Sequence, residues 1–411
     1  MINKNITVCE YDTIMELDSQ NMAQFEMLED FILRSNTEKQ SLMRLVTENG
    51  RKIIKAENYV GTVQLNDGTV IEILPKTEGK KRGDTAASRK LLYRMLSAFI
   101  DVPYEERTAA DDSESTFLEF FISVFVRETM KIIKSGLLAG YVSIEENMTA
   151  VQGNILFAEN IRRNLVHRER LYVRHDVFSP DRAENRLLKS AAAVMTKLSR
   201  SHQNRQNLKK ILAFLDEVKS SVSYEADFSK CISSRNSKKY TTALNISRIF
   251  LKNQGYAPCS GKYVSFALLF PLEEVFRGYI TRLARQCRGV SVQSEFSGEY
   301  LWDSPERFPV KPDIILRDRS TGKPCCIIDT HWKAVKSERD IPFADMLRIY
   351  AYTRLFGCER VVLLYPELCR NITGMPANGC YSAGSEEAKV YVRFVPLSAG
   401  DKGVAEFLKS I

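Results

Sequence analysis

The sequence has no G-x-x-x-x-G-K-S/T loop, no C-x-x-C pair and no apolar run of membrane length. The first absence means the chain carries no P-loop nucleotide site of its own. Nine cysteines, at 9, 231, 259, 287, 325, 326, 358, 369 and 380, are odd in number and scattered. They predict neither a disulfide framework nor a zinc knuckle and point to a reducing, cytoplasmic setting. The longest unbroken apolar runs, such as Phe266 to Phe270, are far too short to cross a bilayer, so no membrane partner is expected. The opening residues carry acids and no apolar core, which argues against a secretory leader. No stretch repeats at solenoid period. Charge of one sign is also scarce: 59 Lys plus Arg against 51 Asp plus Glu leave +8, compatible with a polyanionic partner but common among enzymes that never meet one.

What remains is an ordinary globular composition, 44% apolar and 27% charged, over 411 residues, enough for two or three cores. The pattern predicts an α/β and α+β multidomain protein with boundaries near 110 and 262. Residues 1–110 read as a mixed β/α domain, 111–262 as a largely helical domain, and 263–411 as a mixed sheet flanked by helices. In the first, Ile6 to Tyr11 suits a strand and Met22 to Leu45 carries helical apolar spacing. Asn58 to Leu65 and Thr69 to Leu74 alternate around Asn66-Asp67-Gly68, a hairpin signal. A helix near Ser88 to Ile100 leads to the acidic stretch Asp101 to Ser115, a candidate boundary.

In the middle segment, Thr116 to Lys134 places Phe117, Phe120, Phe121, Val124 and Phe125 on one helical side, which predicts core rather than a base-stacking platform. Tyr141 to Asp181 reads as irregular and basic, with Arg162, Arg163, His167, Arg168, Arg170, Arg174 and His175. Such a segment suits phosphates, an acidic protein surface or plain solvation. Helices are expected from Asp181, as a cap, to Ser199, from Arg205 to Lys219 and from Thr241 to Lys252.

The last third alternates a helix at Phe270 to Cys287, strands at Val290 to Glu295, Ile314 to Leu316 and Cys325 to Ile328, a helix at Ala344 to Phe356, and strands at Arg360 to Leu364 and Val390 to Phe394. The two strands within Val310 to Lys333 form a hairpin with Asp313 at one end and Asp329 at the other. Alternation puts residue 331 on the face of Asp329 and turns Thr330 away. Two converging carboxylates suit Mg²⁺, which takes oxygen ligands and keeps water for a phosphate substrate.

Pro312-Asp313, a gap and then Asp329-x-His331 resemble the PD-(D/E)xK nuclease layout, whose third position is a lysine. More specifically, the landmarks resemble the McrC family, the nuclease subunit of 5-methylcytosine restriction systems. They are Ile71-Glu72-Ile73-Leu74-Pro75-Lys76, Gln152-Gly153-Asn154-Ile155, Asp181 to Lys189, Phe270 to Phe276, Lys311-Pro312-Asp313, Ile328-Asp329-Thr330, and Ala344-Asp345 with Tyr350-Ala351-Tyr352. The resemblance runs from about residue 50 to 365 in consistent order. It implies an αβββαβ nuclease core, a Mg²⁺-dependent endonuclease site, an McrB-type AAA+ GTPase partner on which the N-terminal domain, residues 1–110, and the middle part would dock, and methylated double-stranded DNA as substrate.

Three positions depart from the family pattern. Arg277 stands where a glutamate follows the phenylalanine, His331 replaces the catalytic lysine, and Arg348 replaces a glutamine. By implication Asp313 and Asp329 would hold the metal, with His331 or Lys333 orienting the nucleophile. Lys333 shares the parity of Asp329 but sits two residues beyond His331, ~6–7 Å further along a strand. The departures leave open a nuclease-inactive regulator that stimulates the GTPase without cutting, and the +8 charge leaves open a DNA-binding module without a partner.

Overall fold

The computed structural model describes residues 5–36, 41–77, 85–102, 116–231, 238–252, 264–294, 296, 299–303, 306–368, 374, 379–382 and 389–411. Most of the Asp101 to Ser115 stretch, from residue 103 on, lies outside them, as does Glu295 at the end of an expected strand. The chain divides into two compact units, 1–117 with 255–411, and 118–254. It is a mixed α/β protein with several separate sheets.

In the first unit, the hairpin read around Asn66-Asp67-Gly68 forms as strands Tyr59–Leu65 and Val70–Leu74. Gly68 takes φ 95°, and the Asp67 carboxylate accepts the Thr69 amide at 2.8 Å, closing the turn. Asn5–Cys9 adds in parallel on one side and Val264–Pro271 in antiparallel on the other. Val264–Pro271, which the sequence reading put at the start of the last domain, is therefore a strand of the N-terminal sheet. Gly61 permits this pairing, because a Cβ there would lie 2.0 Å from the Leu268 carbonyl oxygen.

Thr13–Glu16, Arg51–Ala56 and Met43–Glu48 make a second small sheet. The helix expected over Met22 to Leu45 stops at Ser35, and Leu45 belongs to a strand. Its apolar face, Phe25, Leu28, Phe31 and Ile32, packs with Val63, Ile71, Ile73 and Leu269 in one core. Its period does fade after Leu33, where polar residues follow.

The same unit holds a six-stranded sheet in the order Val290–Ser294, Ile314–Asp318, Pro324–Thr330, Arg360–Pro366, Lys389–Val395, Cys380–Ser382. The first three strands are antiparallel, and the next two pairings are parallel. The hairpin turn is set by Asp318, whose carboxylate accepts the amides of Ser320 and Thr321, both at 2.9 Å, and by Gly322 at φ 71°. Ile315, Ile327, Val361, Leu363 and Val392 bury one face with Ile349 and Tyr352 of the helix Phe343–Phe356. The helix Leu272–Ala284 packs with the helices Thr85–Phe99 and Gly400–Ser410.

In the second unit, the stretch read as irregular is ordered: Gly140–Met148, Leu171–Ser179 and Asn154–Ile155 form a three-stranded sheet. Both long strands are half-exposed with charged outward positions, so their alternation is masked by arginines and glutamates such as the Arg174–Glu145 pair at 2.6 Å. Helices Phe117–Lys134, Ala183–Leu198 and Thr241–Lys252 match expectation closely, while the helix expected over Arg205 to Lys219 runs from His202 to Phe214. Asp181 does not cap its helix. Its carboxylate instead accepts Arg186 twice at 2.7 Å and the Lys219 amide at 3.0 Å.

Candidate functional site

The antiparallel pairing Ile314↔Ile328 brings the start of one strand to the end of the next, which is why Asp313 and Asp329 meet. The Asp313 carboxylate accepts the amide of Thr330 at 2.8 Å and its hydroxyl at 2.6 Å. Thr330, expected off the face that Asp329 and His331 share, anchors Asp313 through its hydroxyl. Burial and the neighbouring Asp329 charge push Asp313 above the ordinary carboxylate range. Beyond the strand, His331 keeps the register through its amide, which donates to the Leu364 carbonyl at 3.0 Å.

His331 and Asp329 share a face, as alternation requires: Nε2 lies 3.2 Å from Asp329 Oδ2. The same nitrogen is 3.8 Å from Asp345 Oδ1, and Nδ1 is 3.6 Å from Glu273 Oε1. Burial alone would depress His331, but the Asp329 and Glu273 contacts and the Asp345 charge outweigh it and raise the imidazole to about 9. At about 9 it is a cation at neutral pH, with Nε2 in hydrogen-bond reach of Asp329 and Nδ1 at ion-pair distance from Glu273.

Lys333 does not reach the Asp313–Asp329 pair. Its ammonium donates to Asp345 Oδ2 at 3.1 Å, and the Tyr365 hydroxyl meets the same oxygen at 3.3 Å. Two arginines complete the cluster. Arg277 Nη1 is 3.3 Å from Asp313 Oδ1, and Arg348 Nη1 is 3.5 Å from Asp329 Oδ2. The acids are the buried partners, at 2% exposure for Asp329 and 6% for Asp345, while Arg277 and Arg348 reach in from side chains about half-exposed.

Glu273, Asp345 and Thr330 were missing from the sequence-based site. Spacing carried a signal for the first two: Glu273 and Arg277 lie four apart, Asp345 and Arg348 three apart, and such pairs share a helix face. Behind the site, Trp332 donates its indole N–H to Glu10 at 3.2 Å and meets Phe276 edge-on at 5.3 Å. Glu10 also accepts the Lys76 amide at 2.6 Å. Burial raises Glu10 to about 7.

A family model described as the McrBC 5-methylcytosine restriction system component matches residues 54–366. The chain belongs to that family. Among solved structures, it is similar to a chain of the refined half-complex from a tetradecameric assembly of Thermococcus gammatolerans McrB AAA+ hexamers with bound McrC. That match has a TM-score of 0.65 and 17% identity and covers 99% of this chain and 100% of that one. A chain of the cryo-EM Thermococcus gammatolerans McrBC complex matches with a TM-score of 0.51 and 16% identity, covering 69% and 88%. At these identities the likeness is one of fold. No curated protein matches the sequence.

Several landmarks of the McrBC family resemblance make contacts inside the fold. Asn185, fully buried, donates to the carbonyls of Leu138 at 2.8 Å and Pro180 at 2.7 Å and accepts the Tyr240 hydroxyl at 2.8 Å. Lys189 donates to the Val218 carbonyl at 2.6 Å. Gly153 sits at φ +77°, with room for no Cβ against the Arg174 carbonyl at 2.3 Å. Glu72, 3% exposed, is paired with Arg89.

Among the described residues, no three or more His, Cys, Asp or Glu side chains gather into a metal-holding group. The metal expected from the sequence would rest on Asp313 and Asp329. That donor set suits Mg²⁺, which is commonly bound by one or two carboxylates plus substrate phosphate and water. Both carboxylates already face a guanidinium.

Proposed function

We propose that this chain is an McrC-like subunit of a GTP-dependent restriction complex acting on 5-methylcytosine DNA. In this reading it binds and stimulates an McrB-type AAA+ GTPase and brings to the DNA a PD-(D/E)xK-type endonuclease domain with an altered motif. The observation that carries the reading is the family match over residues 54–366, which spans both the N-terminal hairpin and the Asp313–Asp329 strands. The McrB hexamers named in the similar assembly supply the kind of partner, and the missing P-loop agrees that GTP is hydrolysed elsewhere.

In the DNA-cutting step, Thr330 fixes the Asp313 carboxylate and His331 fixes that of Asp329. A Mg²⁺ held by Asp313 and Asp329 would supply Lewis acidity to the scissile phosphate and would lower the pKa of an attacking water. The His331 cation holds a proton beside Asp329, in the place of the family's lysine, while Lys333 steadies Asp345. A second reading, a regulator that stimulates the GTPase without cutting, is favoured by the cations on the acids: Arg277 and Arg348 stand where the family has a glutamate and a glutamine.

The test is an assay of the full chain with its GTPase, methylated plasmid, GTP and Mg²⁺, beside Asp329→Ala and His331→Lys. Cutting by wild type and not by Asp329→Ala supports the endonuclease. GTP stimulation with no cutting, or cutting by His331→Lys alone, supports the regulator. Absence of GTPase binding and stimulation sinks both.

A further inference from the structure

Basic side chains crowd the acids of the site. Glu273, Asp313, Asp329 and Asp345 face Arg277, Lys333, Arg348 and the His331 imidazole within ion-pair distance. The two arginines are the members that touch the acid pair from outside the hairpin. Arg277 projects from the helix Leu272–Ala284 to Asp313 at 3.3 Å, and Arg348 from the helix Phe343–Phe356 to Asp329 at 3.5 Å. Two carboxylates that close repel each other, and burial amplifies the repulsion. Something positive must sit on each, and here the protein provides it.

We propose that Arg277 and Arg348 are built-in counter-ions of the Asp313–Asp329 pair, which occupy the electrostatic role of a divalent cation and compete with it. The inference deepens the proposed function and rests on its assignment of the acids as the metal-binding pair. Arg277 and Arg348 are positioning residues in this account. They hold the carboxylates in a metal-free, compensated state, and a metal enters only when the guanidinium groups move aside. Their half-exposed side chains allow that movement, because a displaced guanidinium passes into water. Divalent affinity is then low in the free chain. It rises when the arginines are removed, or when a DNA phosphate draws them away.

The proposal is tested on the full chain alone, without GTP, DNA or GTPase, by thermal unfolding across a Mg²⁺ titration to about 10 mM, with Mn²⁺ as a second probe. Wild type is expected to show little metal-dependent rise in Tm. Arg277→Gln/Arg348→Gln is expected to melt lower without metal and to recover with Mg²⁺, reporting an affinity gain on the order of tenfold. Adding Asp313→Asn and Asp329→Asn to that variant should erase the recovery. Arg348→Gln alone, at a half-exposed position, gives the same comparison if the double variant does not fold. Equal Mg²⁺ responses in wild type and arginine variants would overturn the inference, as would no response in either. GTP-turnover stimulation by the wild-type chain is a separate readout, so failure here leaves the subunit assignment standing.

Discussion

Arg348 holds Nη1 3.5 Å from Oδ2 of Asp329, and the two are unequal partners: the carboxylate is 2% exposed and the arginine side chain 47%. Removing the arginine leaves the buried carboxylate with His331 as its remaining basic partner, whereas removing the acid leaves a cation that rehydrates. Arg348→Gln should therefore destabilise the chain by about 1–2 kcal/mol in metal-free urea denaturation at neutral pH. Asp329→Asn should cost less, since His331 keeps Glu273 and Asp345 as neighbours. The reverse order would refute this asymmetry.

Glu10 makes stability pH-dependent. Burial raises its carboxyl from 4.5 to about 7, so the native state binds the proton more tightly than the unfolded chain. The stabilisation is full below about pH 4.5 and is lost as pH rises through 7, an effect on the order of 3 kcal/mol. Glu10→Gln keeps an acceptor for the Trp332 indole and should flatten that part of the stability–pH curve. An unchanged slope between pH ~4.5 and ~7 would show that another group controls it.

Asn185 is predicted to be structural although it lies in a family landmark. Asn185→Ala leaves the Leu138 and Pro180 carbonyls and the Tyr240 hydroxyl without their shared partner. A loss of about 2–3 kcal/mol in denaturant unfolding is expected, with GTPase stimulation per folded molecule unchanged. Full stability with lost stimulation would instead make Asn185 a functional contact.

Gly153→Ala should be costly for a different reason. The position has φ +77°, and a Cβ would lie 2.3 Å from the Arg174 carbonyl oxygen and 2.7 Å from His175 Cβ. A loss of about 2–3 kcal/mol is expected in thermal or urea unfolding. A neutral substitution would mean the strand Asn154–Ile155 is free to shift.

The sequence carried the Asp313–Asp329 hairpin clearly because its signals are local: turn residues at Asp318 and Gly322, apolar runs on either side, and acids at the ends. The helix Thr241–Lys252 was legible for the same reason. The pairing of Tyr59–Leu65 with Val264–Pro271 was not, because strands two hundred residues apart share no local signal. The sheet at Gly140–Ser179 was hidden by its charge, since cross-strand Arg–Glu pairs break the apolar alternation. At the site, His331 and Asp329 followed from strand parity. The places of Lys333 on Asp345 and of Arg277 on Asp313 depended on how two helices cross the sheet, which no spacing encodes.

The most direct measurement is DNA cleavage and GTP turnover by the full chain with an McrB-type GTPase on methylated plasmid, comparing wild type with Asp329→Ala. The account predicts that both chains stimulate GTP hydrolysis and that only the wild type cuts. Cutting that survives Asp329→Ala, or a wild-type chain that leaves GTP turnover unchanged, would contradict it.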